Sequence, residues 1–198
     1  MSISLILAST SPSRRAMLMA AGLTFDALAP GVDEAAIKDA MPAVPGKVLA
    51  EVLAETKALQ VSHRRPEPLV LGADQVLQAD DGALFDKPES MDDARAHLRS
   101  LSGRTHTLIS AAVVAQGGAP VWRAVSEARL TMRPLSDRFI DAYLAQEGEA
   151  VLGSVGCYRI EGRGAQLFER IDGDHFTIMG LPLLAFLQFL RLRGVLPS

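Results

Sequence analysis

The pattern of apolar and polar positions predicts strands and helices that alternate through the first half of the chain. Leu5–Ala8 is a run of four apolar residues, which is typical of a short buried strand, and a helical pattern follows it at once. Ser11 is a good N-cap for this helix, Pro12 fits its first position, and Gly22 fits the residue beyond its end. The chain therefore opens with a predicted strand, tight turn and helix.

Further strands and helices are predicted along the rest of the chain. Two long strands, 104–115 and 121–132, would be joined by a turn at Gly117-Gly118. The other predicted strands are 24–29, 68–77, 83–85, 158–161 and 165–171, and the other predicted helices are 47–63, 90–101, 135–146 and 183–192. Because alternating elements precede a long antiparallel pair, the predicted fold class is α/β, with a mixed sheet and two lobes around a cleft.

Composition narrows the classes of protein to which the chain can belong. The net charge of −3 in 198 residues argues against a broad basic surface for nucleic acid. Cys157 is the single cysteine, which excludes an internal disulfide, and we expect it to be a small buried filler. The N-terminus lacks the basic stretch of a secretory signal, and the longest apolar run, 179–190, is too short to span a bilayer. We therefore expect a cytoplasmic protein without a membrane or nucleic-acid partner.

Arg14 and Arg15 fall in the first turn of the first predicted helix. Cations are unfavourable at that positive end of the helix dipole, and a bound anion would explain their presence. An ordinary capped surface helix with nearby arginines accounts for the same residues. The stretch is not a Walker loop, because it has no glycine run and no Gly-Lys-Ser/Thr.

Asp74 lies among apolar residues after the small Gly72-Ala73 step. A carboxylate in such surroundings is costly unless it is paired or binds a metal, so Asp74 is a candidate functional residue. A purely structural pairing with an arginine is the alternative. Glu34 is predicted to lie in a turn, beside Asp33, where a solvated carboxylate is the common case. His106 is expected to be a satisfied polar residue of a strand. Carboxylates combined with arginines and lysines suit a polyphosphate with a hard divalent ion.

Eight segments, in family order and over nearly the whole chain, resemble the Maf family of nucleoside triphosphate pyrophosphatases. They are 7–15, 32–34, 55–58, 72–75, 86–88, 101–103 with His106, 161–162 and 180–183. Each segment is weak evidence alone, but eight in register identify the chain as a member, with one Maf-like domain over residues 1–198. The resemblance implies the fold of the inosine triphosphate pyrophosphatases: a long mixed twisted sheet with flanking helices, and two lobes around a central cleft.

The resemblance also implies an activity. Family members hydrolyse nucleoside triphosphates, including modified ones, to the monophosphate and pyrophosphate with a divalent metal, Mg or Mn, and so clean the nucleotide pool. The family is also linked with arrest of cell division, so a non-catalytic, nucleotide-binding regulator of septum formation is the alternative. Members commonly pair, which implies a homodimer that the sequence itself does not settle.

The resemblance assigns roles residue by residue. Asp74 would accept the proton of the attacking water, and Glu34 and Asp74 would bind the metal. The phosphates would be bound by Ser9, Arg14, Arg15, Lys57 and Lys87.

Three positions are expected to read the base: Ser13, Gln75 and Glu161. The family's branch acting on dTTP and UTP typically has Arg, Thr and Gln there, and the branch acting on 7-methyl-GTP has Trp, Gln and Glu. This chain matches the second branch at two positions, but Ser13 cannot offer a methylated base the aromatic face of tryptophan. The resemblance therefore implies a preference that leans to modified purines and leaves the base itself open.

Overall fold

In this computed structural model, the described residues are 4–197, and they contain seven strands and seven helices. The strands are β1 (Leu5–Ala8), β2 (Asp26–Ala27), β3 (Leu69–Ala79), β4 (Leu84–Phe85), β5 (Thr105–Gln116), β6 (Ala119–Met132) and β7 (Phe168–Asp172). The helices are α1 (Pro12–Ala20), α2 (Glu34–Asp39), α3 (Gly46–Arg64), α4 (Met91–Leu101), α5 (Asp137–Glu147), α6 (His175–Ile178) and α7 (Leu183–Leu192), and two 3-10 segments cover Gly148–Gly153 and Arg163–Leu167.

The strands form one mixed sheet in the order β2-β1-β3-β5-β6-β7, with β4 paired to β3. β1 runs parallel to both β2 and β3, whereas the β3–β4 and β6–β7 pairs are antiparallel. The predicted α/β class with a mixed sheet and flanking helices is therefore confirmed. Ala8 pairs with Gly72, so the chain leaves β1 for α1 at the level where β3 continues to Asp74.

The chain divides into two compact units. The described part of the first unit is 4–75, 109–126 and 175–197, and the second unit is 76–108 and 127–174. Three of the four boundaries between them fall within β3, β5 and β6, and the fourth lies between β7 and α6.

Alternate residues of β1 and β3 bury opposite faces of the sheet in the first unit. Leu7 and Leu71 belong to a core that also holds Leu18 of α1 and Phe186 of α7. Their neighbours in sequence, including Ile6, Ala8 and Val70, pack with Val61 of α3. This period of two is the usual geometry of a strand. It places residues 72 and 74 of β3 on the face that α3 covers.

α4 and α5 pack together in the second unit and bury Leu98, Leu101, Ile140 and Leu144. Exposed ion pairs, such as Arg99 Nε with Asp137 Oδ1 at 2.7 Å, connect the two helices at their surface. Such exposed pairs contribute little, so the apolar contacts carry most of the packing energy.

Four local predictions were wrong. Residues 24–29 pair over only two residues, because the register of the short β1 matches Ile6 with Asp26 and Leu7 with Ala27. Glu34 lies not in a turn but at the start of α2, since Asp33 caps that helix by accepting from Ala36 N at 3.0 Å. The predicted strand 158–161 is irregular and leads into a turn at 160–162, and the strand predicted over 165–171 begins only at Phe168.

The turn at 160–162, in place of the predicted strand, follows from the glycines around it. A Cβ on Gly164 would lie 2.4 Å from Arg159 O, so the chain folds back on itself there and cannot extend into a strand. Cys157, just before this turn, is buried with a free thiol, as expected. Within residues 4–197, none of the helices combines the length and the apolar character needed to cross a membrane.

Candidate functional site

The turn from β1 into α1 fixes Arg14 in a buried position. Ser11 is the N-cap, and its hydroxyl accepts from Arg14 N at 3.4 Å. Ser9 Oγ accepts from Ser11 N at 3.1 Å and from Arg14 Nη1 at 3.5 Å. The guanidinium Nε donates to Gly180 O at 2.7 Å. Arg14 is thus bound at both ends of its guanidinium, whereas Arg15, the next residue, is exposed.

The charges around Arg14 explain how a guanidinium is retained in the interior. Burial lowers the pKa of Arg14, while the negative charges of Asp74 and Glu34 oppose that shift. A buried cation is stable only where opposite charges and hydrogen bonds compensate its lost hydration. The two carboxylates that the sequence suggested for metal binding therefore also act on the arginine at the helix start.

Lys57 Nζ lies between those carboxylates. It is 2.5 Å from Asp74 Oδ1 and 2.7 Å from Glu34 Oε1. The side chains of Lys57 and Asp74 are almost fully buried, and that of Glu34 is 45% exposed. One ammonium group thus brings two carboxylates from different elements to a single point, with Glu34 on the solvent side.

A close contact between β3 and α3 brings Lys57 to Asp74. A Cβ on Gly72 would stand 2.2 Å from Ala54 O and 2.5 Å from Ala58 N, so only glycine fits there. Ala54 and Ala58 lie on the same face of α3, and Lys57 lies between them in the sequence. Asp74 follows Gly72 by two residues and so projects from the same face of β3.

The predicted site residues divide between the two units. Within the first unit, Ser9, Arg14, Glu34, Lys57 and Asp74 are connected by the contacts above, and Ser13 is half-buried on α1. Lys87 and Glu161 belong to the second unit. Lys87 is exposed just after β4, and Glu161 is exposed with its carboxylate 3.2 Å from Arg159 Nε.

Gln75 makes contacts that the sequence did not suggest. Its Nε2, which carries two hydrogens, lies within hydrogen-bond distance of three acceptors: Thr177 O at 2.9 Å, Ile178 O at 3.0 Å and Ser110 Oγ at 3.1 Å. Ser110 and the carbonyl of Gly180 were missed as functional candidates. A signal was present for each: Ser110 is a polar residue inside an apolar strand, and Gly180 begins one of the family-like segments.

Asp74 and Glu34 form a donor set that fits a hard divalent ion only in part. Across residues 4–197, no three His, Cys, Asp or Glu side chains cluster so that they could hold an ion by themselves. Magnesium, however, typically takes one or two protein carboxylates and fills its shell with water and phosphate oxygens. Two carboxylates that converge on one cation, with one of them open to solvent, meet that requirement.

Comparisons with known proteins give the family of the chain. The family model described as Maf-like protein matches residues 4–193. A nucleoside triphosphate pyrophosphatase from Hyphomonas neptunium is 52% identical over 100% of both chains. A 7-methyl-GTP pyrophosphatase from Rhizobium meliloti is 51% identical over 98% of both chains.

Among solved structures, a nucleoside-triphosphatase (dITP/XTP pyrophosphatase) from Mycobacterium abscessus covers 98% of both chains at 14% identity, with a TM-score of 0.42. Both sequence relatives exceed half identity over almost their full length, and the family model covers nearly every described residue. This chain belongs to the Maf family.

Proposed function

We propose that this chain is a nucleoside triphosphate pyrophosphatase, which releases the nucleoside monophosphate and pyrophosphate from a nucleoside triphosphate. The observation that carries the proposal is the position of Lys57 Nζ between Asp74 and Glu34. It combines a cation for phosphate oxygens with carboxylates for a metal and a proton. Full-length relatives that bear this activity in their names support the same reading.

Binding of the triphosphate begins at the start of α1. Phosphate oxygens accept hydrogen bonds from Arg14 and from the Ser9 hydroxyl, and the positive end of the α1 dipole favours the same anion. Lys57 neutralises further negative charge, and Arg15 and Lys87 add exposed cations to the same role. The buried Arg14 is held in place by Gly180 O, which limits the entropy lost when substrate binds.

Water attacks the α-phosphorus, and the bond to the bridging oxygen of the β-phosphate breaks. The Asp74 carboxylate accepts the proton of the water, and pyrophosphate leaves with the bridging oxygen. The ion pair with Lys57 fixes the orientation of Asp74. Glu34 and Asp74 would bind a Mg or Mn ion, which supplies charge neutralisation on the phosphate oxygens.

The base preference follows from Ser13, Gln75 and Glu161 in this proposal. Ser13 offers no aromatic face, and the Glu161 carboxylate is paired with Arg159 in the absence of a base. A guanine edge would have to compete with that arginine for Glu161, so selection of 7-methyl-GTP over GTP is expected to be weak. The protein acts in the cytoplasm on the nucleotide pool and pairs into a homodimer, as family membership suggests.

Pyrophosphate release from canonical and 7-methylated triphosphates, with added Mg or Mn, tests the proposal. Asp74→Asn keeps the shape of the side chain but removes the proton acceptor, so turnover should fall at least about 10²-fold with the fold intact. Asp39→Asn, at an exposed carboxylate of α2, is the matched control and should keep wild-type turnover. A chelator should stop release, and added Mg should restore it.

One result would contradict the proposed activity, and another would contradict only the proposed role of Asp74. Nucleotide binding without any pyrophosphate release by the wild type would leave only the alternative role of a nucleotide-binding regulator. Full turnover by Asp74→Asn would remove Asp74 from the chemistry while leaving the activity in place.

A further inference from the structure

The turn between α6 and α7 is bound on one side to Arg14. Gly180 O accepts from Arg14 Nε at 2.7 Å, and Gly180 has a φ of 99°, a conformation that side chains rarely adopt. A Cβ at Gly180 would lie 3.3 Å from Arg14 Nη2. The turn therefore sets the position of the guanidinium through one carbonyl group whose direction depends on a left-handed residue.

The same turn is bound on its other side to the sheet. Gln75 Nε2 lies within hydrogen-bond distance of the carbonyls of Thr177 and Ile178, and Ser110 Oγ donates to Thr177 O at 2.8 Å. Ser110 and Thr177 are fully buried. The opposite orientation of the Gln75 amide would point its oxygen at two carbonyl oxygens, so the nitrogen must face the turn.

We infer that Gln75 and Ser110 are positioning residues that act on the substrate through the turn 177–180 and Arg14. Gln75 follows Asp74 directly, and neighbouring residues of a strand point to opposite faces. β3 therefore orients the Asp74 carboxylate directly and the phosphate-binding guanidinium of Arg14 through the turn. This inference rests on the proposed function and gives Gln75 a role that does not require contact with the base.

Gln75→Glu tests the inference with a minimal change of shape. The carboxylate would face the carbonyls of Thr177 and Ile178 and repel them, so the turn should shift and release Arg14. We expect kcat/KM to fall 10-fold to 100-fold, mainly through a higher KM. Gln78→Glu, on the same strand with an exposed amide bonded to Gly82 O, should behave as wild type.

A double-mutant cycle separates positioning from direct action. If Gln75 works through Arg14, the change Gln75→Glu should cost little once Arg14→Ala is present. Ser110→Ala is a smaller change, and it should lower kcat/KM several-fold with the same coupling to Arg14→Ala. It replaces Gln75→Glu in the cycle if Gln75→Glu does not fold. Additive effects in both cycles, or wild-type kinetics in both variants, would overturn the inference.

A readout that needs no activity keeps the inference independent of the proposed function. In the wild type the Arg14 Nε–H group should give an exchange-protected NMR signal, because Nε donates to Gly180 O in a buried position. Gln75→Glu should abolish that protection, and Gln78→Glu should not. Unchanged protection would refute the inference, whereas an inactive wild type with the expected loss of protection would refute only the proposed function.

Discussion

Gly72→Ala is the substitution whose effect the structure determines most directly. The added Cβ would stand 2.2 Å from Ala54 O and 2.5 Å from Ala58 N, and both are backbone atoms of α3. Cβ atoms essentially never come within 3.0 Å of a heavy atom outside their own residue and its chain neighbours, so α3 must move away from β3 by about 0.8 Å. No side-chain rotation can relieve this contact, because the opposing atoms belong to the helix itself.

Two losses should follow from that movement. Overpacking of this kind usually lowers the free energy of unfolding by about 1–3 kcal/mol. Lys57 moves with α3, so its 2.5 Å contact with Asp74 should lengthen beyond good hydrogen-bond distance. A misplacement of about 1 Å in such a site can cost about 10²-fold in rate, and we expect a loss of that order in kcat/KM.

Urea denaturation and pyrophosphate release measure the two losses separately. Gly153→Ala is the matched control, because its backbone φ suits an L-residue and a Cβ there would meet no atom within 4 Å. That variant should keep full activity and wild-type stability. If Gly72→Ala unfolds within about 0.5 kcal/mol of Gly153→Ala and turns over equally well, the reasoning from the β3–α3 contact is wrong.

The remaining predictions concern buried groups of the second unit. Burial lowers the pKa of His106 to about 4 in the folded protein, whereas the same side chain binds a proton near pH 6.5 in the unfolded chain. Because only the unfolded state binds this proton between those two values, the free energy of unfolding should fall as the pH falls below 6.5. Between pH 7.5 and pH 5, the free energy of unfolding measured in urea should fall by about 2 kcal/mol more in the wild type than in His106→Gln. Equal falls in the two proteins would contradict the lowered pKa of His106. His63→Gln, at an exposed histidine, should not alter that difference. Burial also raises the pKa of the Cys157 thiol to about 12, so a thiol reagent at pH 8 should label it in urea and not in the folded protein; rapid labelling without urea would show that the thiol is accessible.

The start of α1 was predictable because its signals are local. Ser11 and Pro12 begin the helix where the sequence indicates, and Gly22 follows its end with a φ of 77°. Local signals did not distinguish the two arginines, since the choice of Arg14 as the buried one depends on Gly180, which is 166 residues away in the sequence. A contact of that range leaves no periodic trace around either residue.

The candidate site was predicted residue by residue and not as a geometry. Asp74 stood out because a carboxylate among apolar residues requires a partner, but the sequence suggested an arginine or a metal and the structure supplies Lys57. The prediction for His106 was wrong in another way, because one of its ring nitrogens lacks the expected partner within residues 4–197. It was expected to be a satisfied polar residue of a strand, and it does lie on β5. Among the described residues, however, only its Nε2 has a hydrogen-bond partner, the Tyr158 hydroxyl at 2.7 Å, and its Nδ1 is buried without one.

The pairing of Lys57 with Asp74 nevertheless has a signature in the sequence. Ala54 and Ala58 are small residues four apart, a spacing that lets a strand approach a helix closely, and Lys57 lies on the border of that face. Gly72 provides the complementary gap on β3, and Asp74 lies one strand period beyond it. Small residues on both elements therefore predict the close approach, and the charges one step away from them predict what that approach brings together. The steric fit at Gly72 and the Lys57–Asp74 ion pair thus depend on the same distance between β3 and α3. Any residue larger than glycine at position 72 should therefore weaken both the packing and the ion pair.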